Sequence, residues 1–388
     1  MLKSIVLLYS LINVGDISHG NALVEKLKQD NQVLSEIIVI DANLPKAELQ
    51  SGYKRVVSKL NPHNSMILAV GEKGLLALST LKAAKLLYGS NGYIGASVHQ
   101  YFDVIEDLKR HLSFLAIPEA ALDSEAKKAV IRSLPYTVLT LAVPAINPTI
   151  DQLKAAYDNW DINPSNKPPI NNSYIVVMLP GDAPDQNGQI KSFTKESVKK
   201  LFDNIVALRS KYRDKYTVVV QNGPRTGKFN PQNGEIICAH EYEKGKDSAT
   251  AIDGISQYFV SLLEQHSIPH YFFNFAFEID GKNKKGLSVF NQLLYVAQMK
   301  QDNYFIVPGE SISMLSQIPL YFEPGRVVVF KPDSMNASHN AIFHVIKNRG
   351  NISYFSDEQH VVVPEHPVKM KNDDTATIVN GIIDIFRN

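Results

Sequence analysis

Short, nearly continuous apolar runs alternate along this chain with segments whose apolar residues recur at three- and four-residue spacing. Residues 3–14 read as a buried first strand, apolar almost throughout. Gly15-Asp16-Ile17-Ser18-His19-Gly20 reads as a loop, and 21–30 as a helix with Ala22, Leu23 and Leu27 on one face. Ile37–Ile40 and Met66–Val70 predict strands, with a helix over 47–59 between them and another over 75–87, opened by Gly71 and Gly74. Runs at 92–98, 112–117 and 136–141 predict further strands, and Thr149 is placed to cap a helix that ends at Trp160. Strand and helix in this alternation predict a parallel sheet with helices on both faces.

Residues 161–172, rich in proline and asparagine, read as a linker, after which the pattern restarts. Tyr174–Leu179 is a buried strand, 192–212 holds a long helix capped by Thr194, and Tyr216–Val220 is the next strand. A helix over 251–266, a strand over 270–277, a helix over 287–300 and a strand at Tyr304–Val307 follow. A short helix from Ser311, a strand at Val327–Phe330, a helix around 338–346 and a last helix over 375–386 complete the chain. The expected fold class is α/β, with two doubly wound parallel-sheet domains at 1–160 and 173–370 and a terminal segment at 371–388.

Composition narrows the function classes. With 388 residues, 44% of them hydrophobic and 20% charged, the chain has the make-up of a folded protein with ample core for two domains. A net charge of +1 gives no global attraction to nucleic acid or anionic membranes. Cys238 is the single cysteine, so no intrachain disulfide or cysteine-rich metal site can form, which fits a reducing compartment. Lys3 followed by Ile5-Val6-Leu7-Leu8-Tyr9 has the outline of a signal peptide. No small-residue cleavage site follows it, however, and Asp16 interrupts, so a strand is the reading. No apolar run approaches the ~18 residues of a membrane span. The expectation is a cytoplasmic protein, with peripheral membrane association left open.

Four loops in the second half follow strands: Pro180-Gly181-Asp182, Asn222-Gly223-Pro224-Arg225-Thr226, Gly281 to Gly286, and Pro308-Gly309-Glu310-Ser311. In a parallel sheet they share one edge, where α/β proteins bind ligands. Glycines allow close backbone approach, Arg225 suits bidentate phosphate contact, and a helix starting at Ser311 turns free N–H groups toward an anion. A helix end contributes only ~0.3–1 kcal/mol toward an anion, whereas micromolar binding needs roughly 8 kcal/mol, so several loops must converge. Singly, each feature has a plainer reading. The glycines suit turns, Arg225 a surface ion pair, the lysines at 282, 284 and 285 a solvated turn, and Ser311 and Ser313 a helix cap. Together on one edge they point to a small-molecule site.

In the first half, His19 lies between glycines after the first strand and is suited to general-base work near neutrality, with Asp16 close enough to orient or replace it. A histidine that only caps a helix is the alternative. No H-E-x-x-H or other tight ligand pair is present, so no metal is expected. Glu278 and Asp280 could hold a divalent ion, but Asp280-Gly281 is more simply a turn. His240, His344 and His360 read as structural or exposed. The absence of a P-loop, a G-x-G-x-x-G after a strand and a G-x-S-x-G elbow disfavours the corresponding nucleotide-hydrolysing, dehydrogenase and hydrolase classes.

Pro308 to Gln317, with its Ser-Ile-Ser-Met-Leu-Ser core, resembles the signature of the ELM-type mitochondrial-fission-protein-like family. Arg225-Thr226 is similar to that family's Arg-Thr-Pro element, and Leu179-Pro180-Gly181 to its Gly-Gly-Pro turn. Pro144, Trp160 and Asp280-Gly281 also fall in the family's order. Glu310 stands where the family has Asp, Gln317 where it has Glu, and Gly227 where it has Pro. The Gly15–His19 stretch and Asn340-Ala341 are more distantly similar to peptidoglycan N-acetylglucosaminyltransferases.

The resemblance implies a GT-B-like fold: two Rossmann-like domains facing a cleft, with a C-terminal helix crossing back to the first. It implies a metal-independent glycosyltransferase with a nucleotide-diphosphate sugar as co-substrate and no other cofactor. The acceptor, whether glycan, lipid or protein, is unspecified. His19 or Asp16 would deprotonate the acceptor, and an inverting outcome rests on that base. Gly181, Asp182, Asn222, Gly223, Arg225 and Thr226 would hold the nucleotide or diphosphate. Ser311 and Ser313 would donate to the diphosphate, Glu310 would accept from ribose or sugar hydroxyls, and Asn340 would belong to the same donor site. Two other outcomes stay open: a non-catalytic adaptor on a degenerate GT-B scaffold, and a nucleotide-sugar epimerase, which would want more carboxylates.

Overall fold

The computed structural model describes all residues except 12–13, 31–33, 88–91, 142–143, 145–146, 185–188, 228–240, 244–251, 281–282, 371–373 and 388. Cys238, His240, Gly281 and Lys282 therefore lie outside the described residues. Two compact units emerge: Met1–Asn147 with Asn372–Asn388, and Pro148–Lys371.

In the first unit the apolar runs become strands β1 (Ser4–Tyr9), β2 (Glu36–Asp41), β3 (Ser65–Val70), β4 (Tyr93–Ser97), β5 (Phe114–Pro118) and β6 (Thr137–Thr140). They form one sheet in the order β2-β1-β3-β4-β5-β6, and every pair is parallel. Helices α1 (Val14–Asp30), α2 (Lys46–Val57), α3 (Gly71–Ala83), α4 (Val104–Leu108) and α5 (Glu125–Arg132) connect them. Each parallel connection needs such a crossover, which is why the apolar period switches between strand and helix. The sheet buries one apolar cluster on each face, as a doubly wound sheet must. The chain leaves β1 toward β2 and then crosses to β3, so the strand order reverses between β1 and β3.

The second unit opens with α6 (Ile150–Asp158), whose Thr149–Gln152 capping box confirms the expected helix start. Strands β7 (Tyr174–Met178), β8 (Ala183–Pro184) and β9 (Ile190–Lys191) precede α7 (Lys195–Lys211) and β10 (Thr217–Gln221). After β11 (Glu241–Glu243) come α8 (Gly254–Gln265), β12 (His270–Phe273), β13 (Ala276–Asp280), β14 (Asn283–Leu287) and α9 (Phe290–Gln298). Then follow β15 (Tyr304–Pro308), α10 (Ile312–Gln317), β16 (Val327–Phe330), α11 (Ala337–Asn348), β17 (Ser353–Phe355) and β18 (Val361–Val362). The main sheet has the order β12-β10-β7-β15-β16-β17-β18, parallel except for its last pair. Its strand order reverses between β7 and β15.

The last helix, α12 (Asp374–Ile385), belongs to the first unit. Its Ile378, Val379, Ile382 and Ile383 join the cluster of Leu2, Ile5, Leu7 and Phe114. Gly381 gives room to β6, since a Cβ there would sit 2.7 Å from Val138 Cγ2.

Three sequence expectations change. Residues 15–20 are not a loop but the first turns of α1. Gly20 is there because the helix crosses the Tyr9 ring, 2.8 Å from where a Cβ would stand. Residues 161–172 are not a free linker: they lie inside the second unit, where Pro168 and Pro169 accept hydrogen bonds from the Tyr157 and Tyr174 hydroxyls. Of the 281–286 stretch, residues 283–286 do not follow a strand of the parallel sheet: they lie in β14, which pairs antiparallel with β13 in a separate small sheet with β11.

Candidate functional site

The carboxyl ends of β7, β10, β15 and β16 point to one edge of the second unit's sheet, spanning roughly 14 Å across three inter-strand steps. Three of the four predicted loops meet there. Glu310, just past β15, is 4% exposed. Its Oε1 accepts the Gly181 N–H at 2.7 Å, across the point where strand order reverses. Its Oε2 is buried and has no hydrogen-bond partner among the described residues. Burial pushes the carboxyl up to about 7; the Gly181 N–H and the Arg225 guanidinium only partly offset that, and Asp182 adds to it. Arg225 is partly buried and its guanidinium makes no hydrogen bond or ion pair among the described residues.

Other predicted residues are held within the protein. Asn222, fully buried, donates to Asp253, Ser256 and Asn274 and accepts from the Phe275 N–H. It thereby ties the end of β10 to the cap of α8 and to the β12–β13 connection. Thr226 Oγ1 accepts the Gly223 N–H and donates to the Pro180 carbonyl, both at 2.9 Å. Asp182 Oδ1 accepts the Phe193 N–H, and the Asp182 N–H reaches the Arg225 carbonyl. These bonds weld the β7 and β10 loops together, and Gly181 suits the tight approach, since a Cβ would stand 3.0 Å from Arg225 Cβ. Ser311 and Ser313 lie 3.4 Å apart at the start of α10, where Ser311 makes no side-chain cap. Asn340 bonds back to the Asn336 carbonyl in the first turn of α11.

Two polar groups on this edge gave no signal in the sequence. Gln221 Oε1 and Ser334 Oγ are buried without a hydrogen-bond partner among the described residues, at the end of β10 and just past β16. Asn147, Asn204 and Asn351 carry such atoms too, but none follows a strand of this sheet. A buried polar atom left without a partner costs about 1–3 kcal/mol. Three along one sheet edge are therefore a concentration that packing alone does not require.

The first unit repeats the arrangement. Asp16, in the first turn of α1, lies against Gly71 at the start of α3, across the reversal between β1 and β3. Gly71 has φ +69°, and a Cβ on it would stand 2.2 Å from Asp16 Oδ1, so only glycine fits. Burial, with help from Glu72 and against Lys73, pushes the Asp16 carboxyl up to about 7. His19, one turn along α1, is 3% exposed, and its Nε2 lies 2.8 Å from Ser97 Oγ at the end of β4. Burial, with His99 nearby, lowers it to about 3, so it stays neutral across the physiological range. Ser97 was missed because a serine ending an apolar strand carries no pattern of its own.

Among the described residues no group of three His, Cys, Asp or Glu could hold a metal ion, and no helix is long and apolar enough to cross a membrane. A cavity of about 550 Å³ beside β6, lined by Leu122, Ile131, Leu134 and Leu139 among others, contains none of the candidate residues.

Two doubly wound units share the chain, and the final helix returns to the first. This is the α/β plan of two doubly wound units that the sequence predicts. Among solved structures the chain is similar to an S. aureus MnaA–UDP complex at 12% identity, over 100% of this chain and 97% of that one, with a TM-score of 0.49. It is similar to a UDP-forming trehalose-phosphate synthase from Burkholderia xenovorans with glucose-6-phosphate at 9% identity, over 100% of both chains, TM-score 0.47. A putative UDP-N-acetylglucosamine 2-epimerase from Listeria monocytogenes follows at 10% identity, over 99% and 95%, TM-score 0.45. No family profile matches the chain, and no curated protein sequence matches it. The resemblance to mitochondrial-fission proteins thus consists of the short motifs alone.

Proposed function

We propose that the chain is a GT-B-type enzyme that moves a sugar from a nucleotide-diphosphate donor to an acceptor without a metal ion. The observation that carries this is the Gly181–Glu310 contact across the β7/β15 reversal, with a buried Oε2 that has no hydrogen-bond partner among the described residues and the Arg225 guanidinium acting on the carboxyl. Such a crevice is where open α/β sheets hold their ligands. Arg225 would grip the diphosphate, and Glu310 would accept from ribose or sugar hydroxyls. Gly181 would line the approach, with Ser311 and Ser313 beside it. Asn222, Thr226 and Asp182 would serve by fixing the loops rather than by touching donor.

In the first unit the effect of burial on the two groups supports Asp16 over His19 as the proton acceptor. A carboxyl near 7 is matched to neutral pH, whereas a histidine near 3 is a poor base for an alcohol. His19, held by Ser97, would position the α1 turn that carries Asp16.

Nucleotide-sugar epimerisation, which needs a proton acceptor and donor, is the second reading, and the raised Glu310 carboxyl is one such group. Thermal melting against nucleoside diphosphates and nucleotide sugars tests the donor site, since a ligand at a hundredfold excess over its Kd stabilises by about 2.7 kcal/mol. A shift with one of them supports it. Product analysis then separates transfer from epimerisation. No shift with any would overturn the enzyme reading and leave the adaptor, which the motif likeness to fission proteins would then favour.

A further inference from the structure

Resting on that donor site, we infer that Glu310 links donor binding to proton release: a hydroxyl of the bound nucleotide sugar donates to Oε2, and the carboxyl gives its proton to solvent. The two carboxyl oxygens are not equivalent. Oε1 is pinned by the Gly181 N–H at 2.7 Å, so a proton on the group resides on Oε2. Oε2 has no hydrogen-bond partner among the described residues to share that proton or to stabilise the charge left without it.

The charged groups that act on the carboxyl come from the two neighbouring loops. Arg225, after β10, favours ionisation, and Asp182, after β7, opposes it. The diphosphate expected at Arg225 would cancel much of that cation's help, so a hydrogen bond from the ligand itself must supply the stabilisation of the anion. A hydroxyl does this. A phosphate oxygen, an acceptor only, would instead hold the proton on Oε2, and binding would then take protons up. The sign of the proton exchange therefore identifies which part of the donor meets Glu310.

The experiment is calorimetric titration of the whole protein with UDP-N-acetylglucosamine, whose diphosphate diester does not titrate near neutrality. It is run at pH 7 in buffers of different ionisation enthalpy. A carboxyl near 7 is half protonated there, so about half a proton is released per bound molecule, and the Kd falls about tenfold between pH 6 and pH 8. In Glu310→Gln, which still accepts from Gly181, binding is weaker and the release is gone. Should that variant fold poorly, the wild-type pH series decides alone. Proton uptake, no exchange, or a release that survives Glu310→Gln and disappears in Asp16→Asn would each overturn the inference. Binding without exchange leaves the donor site standing. Absence of any binding heat or melting shift with nucleotide sugars removes the donor site and this inference together.

Discussion

The backbone N–H of Gly181 donates to the Glu310 carboxylate at 2.7 Å, joining two loops that leave the sheet in opposite crossover directions. Asp16 meets Gly71 across the equivalent point of the first unit. In one unit the carboxyl follows the outer strand of the pair, in the other the central one. At Gly71 the missing Cβ is what lets the Asp16 carboxyl close in, whereas Gly181 makes room for Arg225 and meets Glu310 through its N–H.

Arg225→Ala should weaken nucleotide-sugar binding by roughly 1.5–3 kcal/mol, the range for a hydrogen bond to a charged group. It should change the melting temperature of the free protein little, because the guanidinium makes no hydrogen bond among the described residues and acts on Glu310 only through its charge. Calorimetry and melting on one preparation check both halves. Unchanged donor affinity would remove the assigned clamp.

Asn222→Ala should behave in the opposite way. It strips four hydrogen bonds on two connections, three of them from the buried Asp253, Ser256 and Phe275 and one from the half-buried Asn274. A loss of several kcal/mol is expected, since each unsatisfied partner costs about 1–3 kcal/mol. Urea denaturation measures it, and a stable variant with lost binding would show instead that Asn222 touches ligand.

Asp16→Asn should reduce turnover by a factor on the order of 10²–10⁴, the usual worth of a general base, with little change in donor affinity. His19→Ala should instead lower stability by about 2–4 kcal/mol, through the lost Ser97 bond and the cavity left behind. Turnover per folded molecule separates the two. Full turnover in Asp16→Asn would return the base assignment to His19.

Stability should fall as pH rises from 4.5 to 6.5. Asp16 and Glu310 titrate near 7 when folded, against 3.8 and 4.5 otherwise, so the folded state holds more than one extra proton at the start of this window and close to two at about pH 5.5. His19, near 3 rather than 6.5, holds one fewer. The net proton gives a decline of up to about 1.4 kcal/mol per pH unit, with the carboxyls' contribution fully present below their unfolded values and lost through about 7. In the Asp16→Asn, Glu310→Gln double variant only His19 remains, and stability should rise with pH up to 6.5. Denaturation at stepped pH checks the reversal. A wild type that gains stability across the window would contradict the burial of both carboxyls.

Much of this fold is legible in the apolar runs. Val218-Val219-Val220 and Val327-Val328-Val329 are apolar on both faces because both faces of a doubly wound sheet are covered. Thr149 and Thr194 announce their helices through side chains that accept from the first turn. Three of the four loops converge on one edge because parallel strands must deliver them there. Glycine misled the reading at 15–20, where two of them look like a loop but Gly20 serves a ring crossing. Proline and asparagine misled it at 161–172, where aromatic packing of Tyr157 and Trp160 on Tyr295 and Phe273 anchors the segment. What sequence could not separate was Arg225 from Asn222: both are polar and sit three residues apart, and only the hydrogen bonds show that Asn222 is bound within the protein while the Arg225 guanidinium makes none among the described residues. Gln221, Ser334 and Ser97 were invisible because a missing or made hydrogen bond leaves no trace in composition.

The placement of α12 sets an order of events in synthesis. The first unit's strands leave the ribosome early, yet Leu2, Ile5, Leu7 and Phe114 lack their final cover until residues 378–383 have been made. The second unit, though later in sequence, draws every described element from one uninterrupted stretch, 148–371. The middle of the chain can therefore finish folding while its beginning still waits, and a nascent protein stalled before residue 374 would carry one closed unit and one with its core face open.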